Sequence, residues 1–374
     1  MSPSPVSELQ TRIAAEITSA GGWIGFERYM ELALYTPGLG YYARGSRQFG
    51  ALPASGSDFI TAPELSPLFG RALARQVAQA LDVTGTDEIW EFGAGSGALA
   101  AQLLEALGDR LRRYTIVDLS SQLRERQAAT MQAQVPQHAG KLGFALQLPE
   151  HIRGVVVGNE LLDAMPVMLL HFDGAQWLER GVALEQGQLA WADRPTDERP
   201  PVELAQAGGF LAGTVVELPR QASGFMRTLA ATLQQGAALL IDYGFPEHEF
   251  YHPQRTGGTL MCHRAHRSDD LPLEDPGDKD ITAHVDFTAV ALAAQDAGME
   301  VLGYTSQARF LLNCGLAQDL QAAHDSGDIR LLAHAQKLIT EHEMGELFKV
   351  LAVAPAGCSF EPIGFAAGDR SHTL

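Results

Sequence analysis

Residues 89 to 99 read I-W-E-F-G-A-G-S-G-A-L: an apolar run, glycines at Gly93, Gly95 and Gly97, then the alanine-rich start of a helix. Glycines at a strand-to-helix turn permit positive φ and let a ligand approach the backbone closely. Glu91 stands two residues before the first glycine, where a carboxylate faces the ligand and suits the cationic methionyl end of S-adenosylmethionine (SAM) better than a pyrophosphate. Asp118 closes the next apolar run, 21 residues beyond Gly97, where a carboxylate accepts hydrogen bonds from two ribose hydroxyls. The string also satisfies G-x-G-x-x-[GA] through Gly93, Gly95 and Ala98, so a nicotinamide dinucleotide is a rival ligand and a bare structural turn a third reading.

A second group of polar residues follows an apolar run at 155 to 167, V-V-V-G-N-E-L-L-D-A-M-P-V. In an open parallel sheet ligands bind beyond the carboxyl ends of the strands, which places Asn159, Glu160 and Asp163 at the crevice used by the glycine turn, with Asn159 expected to bind the cofactor. Asn159 also reads as a helix cap and Asp163 as a first-turn carboxylate. Glu160, directly at a strand end, is harder to explain by packing. L-L-I-D-Y-G at 239 to 244 brings Asp242 and Tyr243 to the same edge, and D-I-T-A-H-V-D-F at 280 to 287 offers His284. The near-neutral pKa of a histidine is the argument for His284; a structural imidazole is the alternative.

These residues need a scaffold, and the chain predicts one. After Asp87 short apolar runs alternate with amphipathic stretches, the signature of a parallel sheet. Strands are expected at Glu88–Phe92, Tyr114–Asp118, Gly143–Gln147, Val155–Gly158, Ala238–Asp242, Met299–Thr305 and Phe348–Ala354. Helices are expected over 98–107, 121–134, 223–235, 286–297 and through 316–340. Before this core, residues 1–85 read as a helical region, with helices over 6–20, 22–36 and 68–81 around a Gly-, Ser- and Pro-rich loop from 38 to 67. That loop carries Thr61, Pro63 and Glu64, and a loop of that length usually binds or gates. The core is expected over 86–360, with 361–374 as a tail. Insertions are expected at about 166–216, as antiparallel strands joined by D-G and Q-G turns, and at about 246–284. With Tyr243, the segments 38–67 and 246–284 are the candidates for covering an acceptor.

Composition narrows the function classes. The 374 residues carry 45 acidic and 27 basic side chains, a formal charge of −18, which argues against a nucleic-acid partner. Cys262, Cys314 and Cys358 lie far apart, so neither a disulfide framework nor a metal site is expected. No run reaches the ~18 apolar residues of a membrane span, and no presequence is read at the start. A cytoplasmic protein is the expectation, with a homodimer left open.

Taken together the motifs resemble the MidA-like SAM-dependent methyltransferases. D-F-I-T-A-P-E-L-S-P-L-F-G at 58–70, E-F-G-A-G-S-G at 91–97, G-N-E-L-L-D-A-M-P-V at 158–167 and the strings at 239–244, 280–287 and 303–316 carry the likeness over nearly the whole chain. The resemblance implies an α/β class I methyltransferase fold, with a seven-stranded sheet whose last strand is antiparallel. It also implies SAM as cofactor and a protein substrate, since the mitochondrial members methylate an arginine on a subunit of respiratory complex I. Asp118 departs from the Glu of many relatives, a shorter acid that still reaches a ribose. For an arginine acceptor, Glu160 and Asp163 are the expected orienting carboxylates, with His284 and Asp242 accessory. An NAD(P)-dependent oxidoreductase and a SAM-binding assembly factor with little turnover are the competing functions.

Overall fold

The computed structural model describes residues 7–43, 61–202, 209–264 and 267–374. The chain divides into two compact units. One comprises Met1–Gln48, Asp163–Ala222 and Phe245–Asp286; the other comprises Phe49–Leu162, Ser223–Gly244 and Phe287–Leu374. Most of the covering loop, residues 44 to 60, lies outside the described residues.

The second unit is built on a sheet of β1 (Glu88–Phe92), β2 (Arg113–Val117), β3 (Leu142–Ala145), β4 (Ile152–Asn159), β5 (Leu233–Phe245), β6 (Met299–Ser306) and β7 (Phe348–Pro355). Its hydrogen-bonded path runs β3-β2-β1-β4-β5-β7-β6. Neighbours from β3 to β5 are parallel, and β7 is antiparallel to both β5 and β6. This is the doubly wound order that the resemblance implies. Val155, Val156 and Val157 are fully buried, because a central parallel strand has both faces covered and reads as a continuous apolar run.

Helices α1 (Pro67–Thr84), α2 (Ala98–Leu107) and α3 (Ser121–Gln134) pack into the same core. The first starts where Ser66 accepts the Leu68 N–H, with Pro67 at its first position, and stops at Gly85 with φ 64°. The T-A-P-E motif forms a single turn, Ala62–Leu65, ahead of that cap. Residues 361–374, read as a tail, pack on this unit: Phe365 is 6% exposed, and the Asp369 carboxylate accepts the Tyr304 N–H at 2.9 Å. Burying one Phe contributes about 1.5–3 kcal/mol, enough to hold a short segment down.

The expected helix over 223–235 ends at Thr232, and β5 begins at Leu233. Pairing with β4 captures these residues, and a Cβ on Gly236 would fall 1.8 Å from the Gly154 carbonyl oxygen. A local helical pattern yields here to a close strand contact that only glycine allows.

The first unit holds helices Glu8–Ser19 and Phe26–Tyr35 and an antiparallel sheet of Trp23–Gly25, Met168–Phe172, Trp177–Glu185, Gln188–Pro195 and Val215–Leu218. The expected hairpin in the first insertion turns at Gln186 and Gly187, with φ 52° and 81°. The second insertion contributes three short strands, Met261–Arg264, Arg267–Asp269 and Asp280–Thr282. Trp23–Gly25, read as helix, is instead a strand paired with Gly181–Ala183. Gly21 and Gly22, both at positive φ, end the preceding helix, and only a glycine at 181 leaves room for the Trp23 ring. No helix among the described residues is long and apolar enough to cross a membrane.

Candidate functional site

The carboxyl edge of β1 turns through Gly93, Gly95 and Gly97 at φ 70°, 51° and 81°. All three angles lie where a side chain is disfavoured, by roughly 1–2 kcal/mol per residue. A Cβ on Gly93 would stand 3.3 Å from Leu161, and one on Gly97 3.2 Å from the Gln127 Cα. Gly97 caps α2 without a side-chain hydrogen bond, so no cap side chain blocks the backbone donors of its first turn.

Glu91, expected as an open carboxylate, is 2% exposed and accepts the Tyr114 hydroxyl from β2 at 2.8 Å. Burial pushes its pKa up to about 8, against the lowering effect of the tyrosine; the Asp118 charge adds to the rise. Glu91 is closed off because β1 is a central strand covered on both faces, so position 91 points inward.

Asp118 is half-buried one residue beyond β2. Its Oδ1 accepts the Ser120 N–H and its Oδ2 the Gln127 side-chain amide, both at 2.9 Å. Burial raises its pKa, while both hydrogen bonds pull it down. A carboxylate has about four lone-pair sites, so two remain for ribose hydroxyls. Leu119 beside it is 79% exposed, an apolar surface next to the acid. A glycine cradle, a half-open carboxylate and an exposed leucine on adjacent strand ends fit the backbone, ribose and base contacts of an adenosyl cofactor.

At the neighbouring end of β4, Asn159 is 7% exposed and its Nδ2 donates to Glu160 Oε1 at 3.0 Å. The Asn159 Oδ1 is buried with no hydrogen-bond partner among the described residues, an acceptor that a bound group can satisfy. Glu160 has φ 50°, and its N–H donates to the Ile241 carbonyl at 2.9 Å. The Leu161 and Leu162 N–H groups donate to Asp242 Oδ2 at 3.0 and 2.8 Å, and Tyr243 N–H to its Oδ1 at 2.9 Å. Asp242, expected as an accessory proton acceptor or orienting group, thus receives three backbone donors and holds the Glu160 turn. Tyr243 packs edge-on against Phe348, ring centroids 5.4 Å apart.

The remaining expected residues fall in both units. Thr61, Pro63 and Glu64 belong to the sheet unit, where the Pro63 carbonyl accepts Gln102 Nε2 of α2 at 2.7 Å. Glu64 Oε2 is buried without a hydrogen-bond partner among the described residues. Asp163 and His284 belong to the other unit. Asp163 is 5% exposed and its carbonyl accepts the Ala283 N–H. The His284 backbone N–H donates to Thr259 Oγ1, and its ring stacks on Phe245, centroids 5.3 Å apart. Tyr114, Gln127 and Thr130 escape the sequence reading: each reaches the glycine turn or its acids from another element. Gln127 and Thr130, three apart on one helix face, carried the available signal.

Comparison with known proteins bears on this site. A crystal structure from Burkholderia thailandensis, described as a "likely methyl transferase" bound to S-adenosyl-homocysteine, is 50% identical to the chain, with a TM-score of 0.92 and full coverage of both chains. A native structure from the same organism is 49% identical, with a TM-score of 0.89 and the same coverage. The mitochondrial protein arginine methyltransferase NDUFAF7 homolog of Caenorhabditis elegans is 26% identical over 99% of this chain and 93% of its own length. The human mitochondrial protein arginine methyltransferase NDUFAF7 is 27% identical over 94% and 84%. The dinucleotide reading is set aside by the adenosyl product in so similar a structure. The cytoplasmic expectation is also corrected, because these curated relatives are named as mitochondrial proteins. The model of a family of S-adenosyl-L-methionine-dependent methyltransferases matches residues 72–305, and this chain, with its doubly wound sheet and glycine cradle, belongs to that family and takes SAM as its cofactor.

Proposed function

We propose that the methyl acceptor is an arginine on a protein and that Glu160 orients its guanidinium. The observation that carries this reading is the Glu160 turn: a carboxylate at the end of β4, held at φ 50° and hydrogen-bonded by Asn159. A side chain kept in a disfavoured backbone region, at a cost of about 1–3 kcal/mol, is a feature of functional sites. The names of the curated relatives support the substrate class.

When bound, SAM supplies an electrophilic methyl group on a sulfonium. Gly93, Gly95 and Gly97 receive it along the backbone, and Asp118 takes the ribose. The Glu160 carboxylate accepts guanidinium N–H groups in a planar, charge-assisted pairing, which leaves another guanidinium nitrogen to face the methyl. Asn159 fixes the Glu160 carboxylate, and Asp242 fixes the turn beneath it. The resemblance to MidA-like enzymes adds a respiratory-chain subunit as the acceptor protein.

Incubating the full chain with SAM labelled in the methyl group and cell lysate, then locating the label by mass spectrometry, tests the reading. Methylarginine in a protein is expected. Label on another residue type or on small molecules alone overturns the acceptor class, and SAM binding without transfer favours an assembly factor.

A further inference from the structure

The link between the glycine turn and Asp118 is a side chain that no motif flags. Gln127 of α3 is fully buried, and its Nε2 donates to the Gly95 carbonyl at 3.1 Å and to Asp118 Oδ2 at 2.9 Å. Both partners only accept, so the amide is oriented with its NH2 toward them. The price of that orientation is its own Oε1, buried without a hydrogen-bond partner among the described residues. Gly97 lets the helix approach, since a Cβ there would stand 3.2 Å from the Gln127 Cα, tighter than ordinary contact. One turn along, Thr130 Oγ1 donates to the Ser96 carbonyl at 2.8 Å, and Arg124 donates to the Asp118 carbonyl at 2.8 Å. Three side chains of one helix therefore grip the two segments assigned to the cofactor.

We propose that Gln127 is a positioning residue for the cofactor: with the Ser120 N–H it fixes the plane of the Asp118 carboxylate, and it ties that carboxylate to the Gly95 turn. A carboxylate held by one donor on each oxygen keeps one rotamer, so its remaining lone pairs are set for the ribose before the cofactor arrives. Without Gln127 the carboxylate keeps only the Ser120 donor and turns toward water. The inference rests on Asp118 being the ribose acid.

Calorimetry with S-adenosylhomocysteine on the full chain tests it through a double-mutant cycle of Gln127→Met and Asp118→Ala. Gln127→Met, close in volume, weakens binding roughly tenfold, the worth of a charge-assisted hydrogen bond. In the Asp118→Ala background the same change costs less than about threefold, because its effect passes through the carboxylate. Unaltered affinity in Gln127→Met, or an equal loss in both backgrounds, overturns the proposal. Wild-type affinity in Asp118→Ala is a different failure and removes the ribose assignment itself. Where Gln127→Met unfolds, Gln127→Asn keeps the amide one methylene short of Asp118 and is expected to show the same non-additive loss. Thr130→Val, which leaves both Asp118 donors intact, loses less than Gln127→Met; an equal loss assigns the effect to the loop and overturns the role given to Gln127.

Discussion

Two turns at the carboxyl edge of one sheet solve a similar backbone problem with different residues. After β1 the positive φ angles all fall on glycines, Gly93, Gly95 and Gly97; after β4 the positive φ falls on Glu160. Where a ligand needs the backbone itself, glycine removes both the strain and the obstruction. Where the side chain is the proposed working part, the strain is tolerated. The surroundings show how: three N–H groups of the second turn are bonded, one to the Ile241 carbonyl and two to Asp242. Among the described residues the first turn shows no such side-chain anchor, and it is gripped from the side by α3.

The contrast is open to attack, most severely at Gly95. Gly95→Val should leave no measurable S-adenosylhomocysteine binding in calorimetry, because a branched side chain at φ 51° is disfavoured and fills the ligand's approach. Unchanged affinity would sink the assignment of that turn. Glu160→Gln is expected to lower methyl transfer by roughly two orders of magnitude or more, the scale of a lost positioning or acid–base group. Cofactor affinity should stay within about threefold of wild type. Lost cofactor binding with the fold intact would move Glu160 to the cofactor side, and full activity would strip it of both roles.

Asp118→Ala should weaken cofactor binding by about 1.5–3 kcal/mol, the worth of hydrogen bonds to a charged group, with circular dichroism to confirm folding. An affinity change below a factor of two would hand the ribose to another residue. Glu160→Gly sharpens the contrast by making the second turn like the first. It should abolish transfer yet raise stability by about 1 kcal/mol in denaturant titration, by releasing the strain. A destabilised variant would mean that the Glu160 side chain supports the fold.

A separate effect concerns pH. Glu91 is held at about 8, above its ordinary 4.5, so between those values the folded state binds more protons than the unfolded one. Its contribution is complete below the unfolded pKa and is lost as pH rises toward 8. Glu91→Gln should therefore gain stability relative to wild type as pH goes from about 5 to about 8, read from unfolding midpoints. A constant difference across that range would mean Glu91 is already ionised in the fold.

Composition, periodicity and motif spacing determined the sheet, most of its strands, the glycine turn and the acids at the strand ends, because each is written in neighbouring residues. A period of two or near four, a Gly at a turn and an Asp after an apolar run are local facts. What the tertiary structure decided is which of those acids are open and what holds them. Glu91 and Asp118 look alike in sequence as carboxylates flanking a glycine turn, but Glu91 sits on a covered central strand and pairs with Tyr114, while Asp118 clears the strand end. Asp242 reads as an accessory group of the site, and only the structure shows that the Leu161 and Leu162 amides stand on its Oδ2. Trp23–Gly25 becomes a strand only because Gly181, more than 150 residues away, leaves room for it. Burial and hydrogen bonding join residues far apart in the chain, and no local pattern encodes which partner will arrive.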